Sequence, residues 1–429
     1  METLFSQMAE MNDAIWTFAE CRFEEVKSSA LQMAFLEKEG FEITKGLAGM
    51  GTAFKARYGS DQPVCGLLGE YDALPEIGHA CGHNTLGTAS LAAAVQIKRA
   101  LESGRIKGSV VYYGCPAEES GGGKVFMVRD GVFDEADFIL TWHPGPANFV
   151  MGDGFLANVK VNYTFKGIAS HAAASPEMGR SALDALELMN IGVNFLREHM
   201  IDGARIHYAI THTGGNAPNI VQSHAEALYI IRAPKSNQVY DLFERVNKVA
   251  NGAAMMTETE VMPKVVMGYS DYIANPTLSK IMHKHLQVEA TKLEYSDDEL
   301  QYAKNIRDKM KNPMTFDNMP PIKAPILTAV LPSPKYLPGS SDVGDVSWVK
   351  PVAQFSGVCY AFGTTPHSLE QVEQGRSSIV HKGLIMASNV LSQTAIEVMS
   401  DPQHLSAIIE EFKEQRINAP YRSLLPKTS

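Results

Sequence analysis

The sequence predicts an α/β protein with a mostly parallel-sheet catalytic domain and an inserted, smaller ferredoxin-like α+β domain. In the first third of the chain, apolar runs typical of buried strands alternate with segments of helical periodicity. From about residue 157 the predicted order changes to β-α-β-β-α-β, which matches a ferredoxin-like sandwich. The α/β pattern resumes after about residue 270, and this resumption indicates an insertion rather than a second domain in series.

Three apolar runs in the first third, at 64–75, 109–119 and 137–145, are predicted strands that end in polar loops. Residues 85–103 show helical periodicity and are stopped by Gly104. Because ligands of open α/β sheets bind at the carboxyl ends of the strands, we expect the polar motifs at these strand ends to converge.

The inserted region alternates between short strands and two helices. The predicted segments are strand 159–167, helix 181–200, strands 206–214 and 226–234, helix 236–256 and strand 259–269. After the insertion, 352–363 is strand-like and 380–400 is helical.

The length of the chain requires more than one core. At 429 residues, two domains are the natural expectation. We predict that residues 1–156 and 271–429 form the two parts of the catalytic domain and that 157–270 form the inserted domain.

Composition excludes several classes of protein. The net charge of −10 argues against nucleic acid as a partner, since such binding depends on clustered Lys and Arg. No apolar run reaches the roughly 18 residues of a membrane span, and the first twenty residues do not read as a signal peptide. Five scattered cysteines without a CxxC pair indicate a reducing compartment, so we predict a cytoplasmic protein without a membrane partner.

Candidate metal ligands follow the predicted strands. Cys81 and His83 lie in a glycine-flanked loop before a helix, and thiolate and imidazole are good ligands for Zn²⁺. The alternative is a buried cysteine beside a hydrogen-bonded histidine. Glu118 and Glu119 end an apolar strand, where two carboxylates repel each other unless a cation neutralises them. The alternative for this pair is a solvated acidic loop tip.

Further histidines could join this site. His143 ends the third strand, and its position at the same sheet edge makes it a candidate ligand. His367 and His381 both follow the late strand at 352–363, and their spacing alone does not separate them. In the insertion, Arg232 ends an apolar strand, where it could be a surface cap or bind a substrate carboxylate through its bidentate guanidinium group.

Several motifs in order resemble one family, the aminoacylase and carboxypeptidase family of di-metal amidohydrolases. They are GEYDALP (69–75), GHACGHN (78–84), PAEE (116–119), TWHPG (141–145), SHAAASP (170–176), APNIVQ (217–222) followed by Arg232, and GTTPHS (363–368). The resemblance runs from about residue 60 to 400 and is strongest to the branch acting on p-aminobenzoyl-glutamate, hippurate and indole-acetyl amino acids.

The resemblance implies roles for the residues at these motifs. It implies two divalent ions per subunit, Mn²⁺ or Zn²⁺, held by Cys81, His83, Glu119, His143 and His367. It favours His367 over His381, and it makes Glu118 the general base. Asp72 would support the ligands without binding metal.

For the insertion, the resemblance implies a lid and dimerisation domain, and hence a homodimer. His171 would polarise the scissile carbonyl, in the same subunit or across the dimer, while Asn219 and Arg232 would hold the free carboxylate of the substrate. Two residues depart from the family pattern: Asn84 stands where many members have Asp, and Glu70 stands where distant members have a metal-binding His.

The expected activity is therefore metal-dependent hydrolysis of the amide bond of a small N-acyl amino acid, with an aromatic acyl group. A metallo-exopeptidase acting on short peptides is the alternative.

Overall fold

A computed structural model describes residues 2–152, 154–315, 322–334, 339–417 and 420–426. The chain divides into two compact units: unit 1 comprises Met1–Asp153, Ile273–Lys335 and Val346–Tyr421, and unit 2 comprises Gly154–Tyr272, Tyr336–Asp345 and Arg422–Ser429. The boundaries predicted from the sequence for the inserted domain, 157–270, remain a proposal. Within the described part of the chain, no helix has the length and apolar character needed to cross a membrane.

Strands and helices alternate through most of the chain. The strands are β1 (Glu42–Lys45), β2 (Phe54–Tyr58), β3 (Val64–Glu70), β4 (Ser109–Cys115), β5 (Phe138–Gly145), β6 (Phe149–Val150), β7 (Ala157–Lys166), β8 (Arg205–His212), β9 (His224–Ala233), β10 (Glu260–Tyr269) and β11 (Val352–Val358). The helices are α1 (Glu2–Phe18), α2 (Val26–Lys38), α3 (His83–Glu102), α4 (Gly123–Arg129), α5 (Ala182–Leu196), α6 (Ser236–Thr257), α7 (Pro276–Ala290), α8 (Asp297–Lys309), α9 (Val343–Val349), α10 (Leu369–Gln374), α11 (Ser378–Ser400) and α12 (Pro402–Arg416).

Unit 1 is built on a seven-stranded sheet with the order β1-β2-β4-β3-β5-β11-β6. The four central strands β4, β3, β5 and β11 are parallel, whereas β1, β2 and β6 pair antiparallel at the two edges. Every residue of β3 and β4 is buried, as expected of strands covered on both faces, and this explains their continuous apolar runs. The predicted α/β class is confirmed, with a sheet that is parallel at its centre and antiparallel at its edges.

Unit 2 is an antiparallel four-stranded sheet with the order β10-β7-β9-β8. Buried residues alternate along β7 and β9, so one face of the sheet packs against apolar residues of α5 and α6. With the chain order β7-α5-β8-β9-α6-β10, this is the ferredoxin-like arrangement predicted for the inserted α+β domain.

Candidate metal centre

Three parallel strands of unit 1 end at one edge of its sheet. β3 ends at Glu70, β4 is followed by the Glu118–Glu119 pair, and β5 carries His143 near its end. Because β3 pairs in parallel with both β4 and β5, the loops after these strands lie side by side.

Gly82 shapes the loop that brings Cys81 and His83 to this edge. Its φ is 86°, in the left-handed region, and α3 begins at the next residue. A Cβ atom at this position would lie 2.3 Å from Oη of Tyr360 and 2.7 Å from Cγ of Pro144. The close approach and the backbone conformation both require glycine here.

Cys81, His83 and His143 form the first group of candidate ligands, with ligand atoms within 4.8 Å of one another. Sγ of Cys81 lies 3.4 Å from Nε2 of His143. Nδ1 of His143 is 2.9 Å from the carbonyl oxygen of Pro144, and donation to that oxygen leaves the lone pair of Nε2 facing the thiol. Such a bond to the far ring nitrogen is what orients a histidine as a metal ligand.

Cys81, Glu119 and His367 form a second group with the same spacing, so Cys81 belongs to both. Nε2 of His367 lies 3.4 Å from Oε2 of Glu119. The backbone N–H of His367 donates to the carbonyl oxygen of Ala80 at 2.8 Å, which ties the loop after β11 to the Cys81 segment. His367 has a φ of 62°, an uncommon conformation held by this contact.

Asp72 connects the two groups. Its Oδ1 lies 2.9 Å from Nδ1 of His83, and its Oδ2 accepts the backbone N–H of Glu119 at 3.0 Å. The carboxylate is buried, and each of its oxygens contacts a candidate ligand. Asp72 therefore has the contacts of a residue that orients ligands rather than one that binds metal.

Two buried polar atoms test whether cations fit this site. Nε2 of His83 and Oε1 of Glu119 make no hydrogen bond to any residue that the structure describes. A histidine that binds metal is neutral; with its proton on Nδ1, the lone pair of His83 Nε2 would face Oε2 of Glu70 at 3.2 Å. A cation would satisfy both atoms and remove the repulsion between lone pair and carboxylate.

The pKa values point the same way. Burial raises the pKa of the Cys81 thiol well above its usual range, and neighbouring Glu119 raises it further. Burial opposes charge on His83, yet Cys81 and Asp72 raise the pKa of its ring well above the ordinary value. The site therefore favours positive charge, which divalent cations would supply while stabilising the thiolate.

Glu118 lies beside the two ligand groups. Its Oε2 is 3.9 Å from Nε2 of His83, and its side chain is 12% exposed, against 6% for Glu119. Glu118, Glu70 and His83 form a third cluster of groups within 4.8 Å. A partly accessible carboxylate at this place can take up and return a proton.

One residue beside the site was missed in the sequence. Lys124 is fully buried, and its Nζ lies 2.6 Å from Oε1 of Glu70, whose side chain is 3% exposed. The ion pair neutralises the carboxylate next to His83 and lowers the pKa of Glu70 against the effect of burial. The available signal was a lysine among apolar residues in the GKVFMVR segment of α4.

The structure separates the two late histidines. His367 lies with Cys81 and Glu119, whereas Nε2 of His381 on α11 lies 2.9 Å from Oδ1 of Asp13 and outside the three clusters. Asn84, the other departure from the family pattern, donates to Oδ1 of Asn12 at 2.9 Å and so ties α3 to α1.

The remaining predicted site residues belong to unit 2. His171 pairs with Ile220, and the N–H of Ala172 donates to the carbonyl oxygen of Asn219 at 2.9 Å, so His171 and Asn219 are neighbours. Nδ1 of the exposed His171 ring accepts the N–H of Ala174 at 3.1 Å, so the other ring nitrogen, Nε2, carries a proton. Arg232 lies on β9, opposite Asn158 of β7.

Comparisons with known proteins agree with this fold and site. Residues 156–255 match the model of a peptidase dimerisation domain. The chain is 41% identical to one of the subunits of p-aminobenzoyl-glutamate hydrolase of Escherichia coli, over 97% of this chain and 94% of that protein. It is 30% identical to Xaa-Arg dipeptidase of Mus musculus, over 95% and 89% of the respective chains. A dinuclear metal-binding peptidase of the M20 family from Bacillus subtilis shares the fold, with a TM-score of 0.61, 17% identity and coverage of 93% and 99%.

The fold and the clustered thiol, imidazole and carboxylate groups define a metal-dependent hydrolase of amide bonds. The chain belongs to the M20 family of dinuclear metallopeptidases and amidohydrolases. The family resemblance noted in the sequence is thereby confirmed.

Proposed function

We propose that this protein hydrolyses the amide bond of a small N-acyl amino acid with an aromatic acyl group, such as p-aminobenzoyl-glutamate or an indole-acetyl amino acid. The observation that carries the proposal is the pair of ligand groups sharing Cys81, with Glu118 beside them. The similarity to the p-aminobenzoyl-glutamate hydrolase of Escherichia coli supports the substrate class, as does the 32% identity to indole-3-acetyl-aspartic acid hydrolase over 42% of each chain.

The ligand set that we propose for two divalent ions, Mn²⁺ or Zn²⁺, consists of Cys81, His83, Glu119, His143 and His367. Bound there, the ions would supply a water of lowered pKa and would polarise the amide carbonyl. Because a thiolate ligand must stay reduced, Cys81 also supports the proposed location in the cytoplasm.

Glu118 is the proposed general base and acid. Its carboxylate takes the proton of the attacking water and then delivers it to the nitrogen of the leaving amine, so that the carboxylate is regenerated at the end of each turnover. Glu119, whose Oε2 lies 3.4 Å from Nε2 of His367, is proposed to bind metal together with that histidine. The two adjacent glutamates thus divide proton transfer from metal binding.

The residues of unit 2 are proposed to bind the rest of the substrate. His171 presents an Nε2–H that can donate to the scissile carbonyl, because its Nδ1 accepts from the backbone. Asn219 and Arg232 are proposed to hold the free carboxylate, for which the guanidinium group offers two parallel hydrogen bonds. Asn219 precedes β9 whereas Arg232 lies near the far end of that strand, so the two residues would act from different subunits.

We further propose that the protein forms a homodimer through unit 2. In the sheet order of the described residues β8 is an edge strand, and its Ile210 is 44% exposed. On α5, Ile191 is 52% and Phe195 is 71% exposed. The match to a dimerisation domain supports this surface as the interface. The Escherichia coli hydrolase also has a second type of subunit, which is 32% identical to this chain over 43% of its length, so pairing with a different chain is the competing assembly.

A metallo-exopeptidase is the second candidate function. The observation that favours it is the identity of 30% to a mouse Xaa-Arg dipeptidase over almost the whole chain. The two candidate functions differ in the group on the carbonyl side of the scissile amide bond. This group is a neutral aromatic group in an N-acyl amino acid and carries a charged α-amino group in a dipeptide.

The test is a substrate panel with the purified, metal-loaded protein. We expect the highest kcat/KM for N-aromatic-acyl glutamates and aspartates, and lower values for Xaa-Arg dipeptides. Arg232→Ala should raise KM for substrates with an α-carboxylate and leave it nearly unchanged for the corresponding amides. A preference for dipeptides would replace the proposed function by the second candidate. Native mass spectrometry of the same sample gives the assembly and the metal content.

A further inference from the structure

The loop that presents Glu118 turns sharply one residue earlier. Ala117 has a φ of 61°, in the left-handed region that residues with a side chain rarely adopt. Its carbonyl oxygen accepts the N–H groups of Gly121 at 3.0 Å and Gly122 at 2.8 Å. Such a conformation persists only when surrounding contacts hold it.

Glu25 supplies one of these contacts from the segment between α1 and α2. Its Oε1 accepts the backbone N–H of Ala117 at 2.9 Å and that of Phe23 at 2.9 Å. Its Oε2 accepts the hydroxyl of Thr52 at 2.9 Å. The residue is 0% exposed, so both carboxyl oxygens are spent inside the protein.

Neighbours of Glu25 hold the same loop. Nη1 of Arg22 donates to the carbonyl oxygen of Ser120 at 3.0 Å. The ring of Phe23 covers Gly121 so closely that a Cβ there would lie 2.7 Å from it. Residues 22–25 therefore contact the loop after β4 at three successive points, and only the Glu25 contact is a buried carboxyl group.

A buried carboxyl group is costly unless its hydrogen bonds are made. Burial raises the pKa of Glu25 to about 7. A residue that only capped α2 would not need this placement, since Glu20 already accepts the N–H groups of Lys27 and Ser28 at the start of that helix.

We propose that Glu25 is a positioning residue for the reaction: through the N–H of Ala117 it holds the turn that aims Glu118 at the ligand groups. The inference rests on the proposed function, because it assumes that Glu118 carries the proton. Glu25 touches no candidate ligand in the contacts described above, so its effect passes through the backbone of Ala117.

The test compares three variants of the metal-loaded enzyme. Glu25→Ala removes the acceptor, whereas Glu25→Gln keeps an amide oxygen of the same reach for the Ala117 N–H. Glu20→Ala is the matched control, because it removes a glutamate from the same segment whose side-chain bonds go only to α2. For each variant, kcat, KM, metal content and the thermal unfolding midpoint are measured.

We expect Glu25→Ala to lower kcat by about 100-fold, the effect of a misplacement of roughly 1 Å, with KM and both metal ions retained. Glu25→Gln should recover most of that loss, and Glu20→Ala should change stability without a comparable change in kcat. Normal kcat in Glu25→Ala, or an equal loss of kcat in Glu20→Ala, would overturn the proposal.

A double-mutant cycle covers the case in which Glu25→Ala also unfolds or loses metal. Thr52→Val removes only the bond to Oε2 and so loosens the Glu25 carboxyl group while keeping its bond to Ala117. Thr52→Val is then combined with Glu118→Ala. If Thr52→Val acts through Glu118, the double variant loses no more kcat than Glu118→Ala alone; if its effect is independent, the two losses add in full. Full additivity counts against the positioning role. If Glu118→Ala itself keeps normal turnover, the proposed function has failed instead.

Discussion

Oδ1 of Asp72 lies 2.9 Å from Nδ1 of His83, and the other oxygen of the same carboxylate accepts the N–H of Glu119 at 3.0 Å. One buried side chain thus orients a candidate ligand from each of the two groups that share Cys81. Its removal should therefore disturb both groups at once.

Asp72→Ala should weaken divalent metal binding by about 10- to 100-fold, the usual effect of losing a partner that orients a ligand. Titration of the metal-free protein with Zn²⁺ or Mn²⁺ measures this. The control is Asp13→Ala, which removes the carboxylate 2.9 Å from Nε2 of His381, another carboxylate–histidine pair. Equal affinities for the Asp72 variant and the unaltered protein would contradict the role.

His367→Ala should lower the metal content from two ions to one per chain, because it removes a member of the group that also contains Cys81 and Glu119. His381→Ala should leave two ions bound, since that side chain contacts Asp13. Elemental analysis of dialysed samples distinguishes the two variants. If the metal content falls in His381→Ala but not in His367→Ala, the proposed ligand set is wrong.

Glu118→Ala should keep both ions and lose turnover by about 10²- to 10⁴-fold, the range expected for a general base. Glu119→Ala should lose metal as well as turnover, because Glu119 lies within one ligand group. The comparison of metal content with kcat in the two variants separates proton transfer from ligation. Near-normal hydrolysis by Glu118→Ala would exclude its role.

Glu25 should make stability depend on pH. Burial raises the pKa of Glu25 to about 7 from 4.5, so the folded protein binds this proton more tightly than the unfolded chain. The contribution of protonated Glu25 to the free energy of unfolding is complete below pH 4.5 and is lost as the pH rises through 7. Between pH 5 and 8 the free energy of unfolding of the unaltered protein should therefore fall by about 2 kcal/mol more than that of Glu25→Gln.

Urea unfolding followed by tryptophan fluorescence measures this difference, because Trp16, Trp142 and Trp348 all belong to unit 1. Thr52→Val serves as the control that keeps the carboxyl group. The same pH dependence in Glu25→Gln and in the unaltered protein would show that Glu25 is not its source.

Local patterns in the sequence carry much of the fold and the site. Buried parallel strands such as β3 and β4 are read from continuous apolar runs, and the glutamate pair is read from its place at a strand end. For Lys124 the local signal is only a lysine among apolar residues, and Glu25 has none. The hydrogen bond from Ala117 to Glu25 joins residues 92 positions apart, and such a contact exists only in the folded chain.

The sequence by itself determined the family, the α/β class and the main strands and helices around the site, because each is encoded in short segments and their spacing. Only the tertiary structure decided which residues meet. Spacing left His367 and His381 as alternatives, and the fold brings His367 to Glu119 while it turns His381 toward Asp13. The physical reason is that metal ligation depends on distances of a few ångströms between atoms, and only the packing of the strand ends creates them.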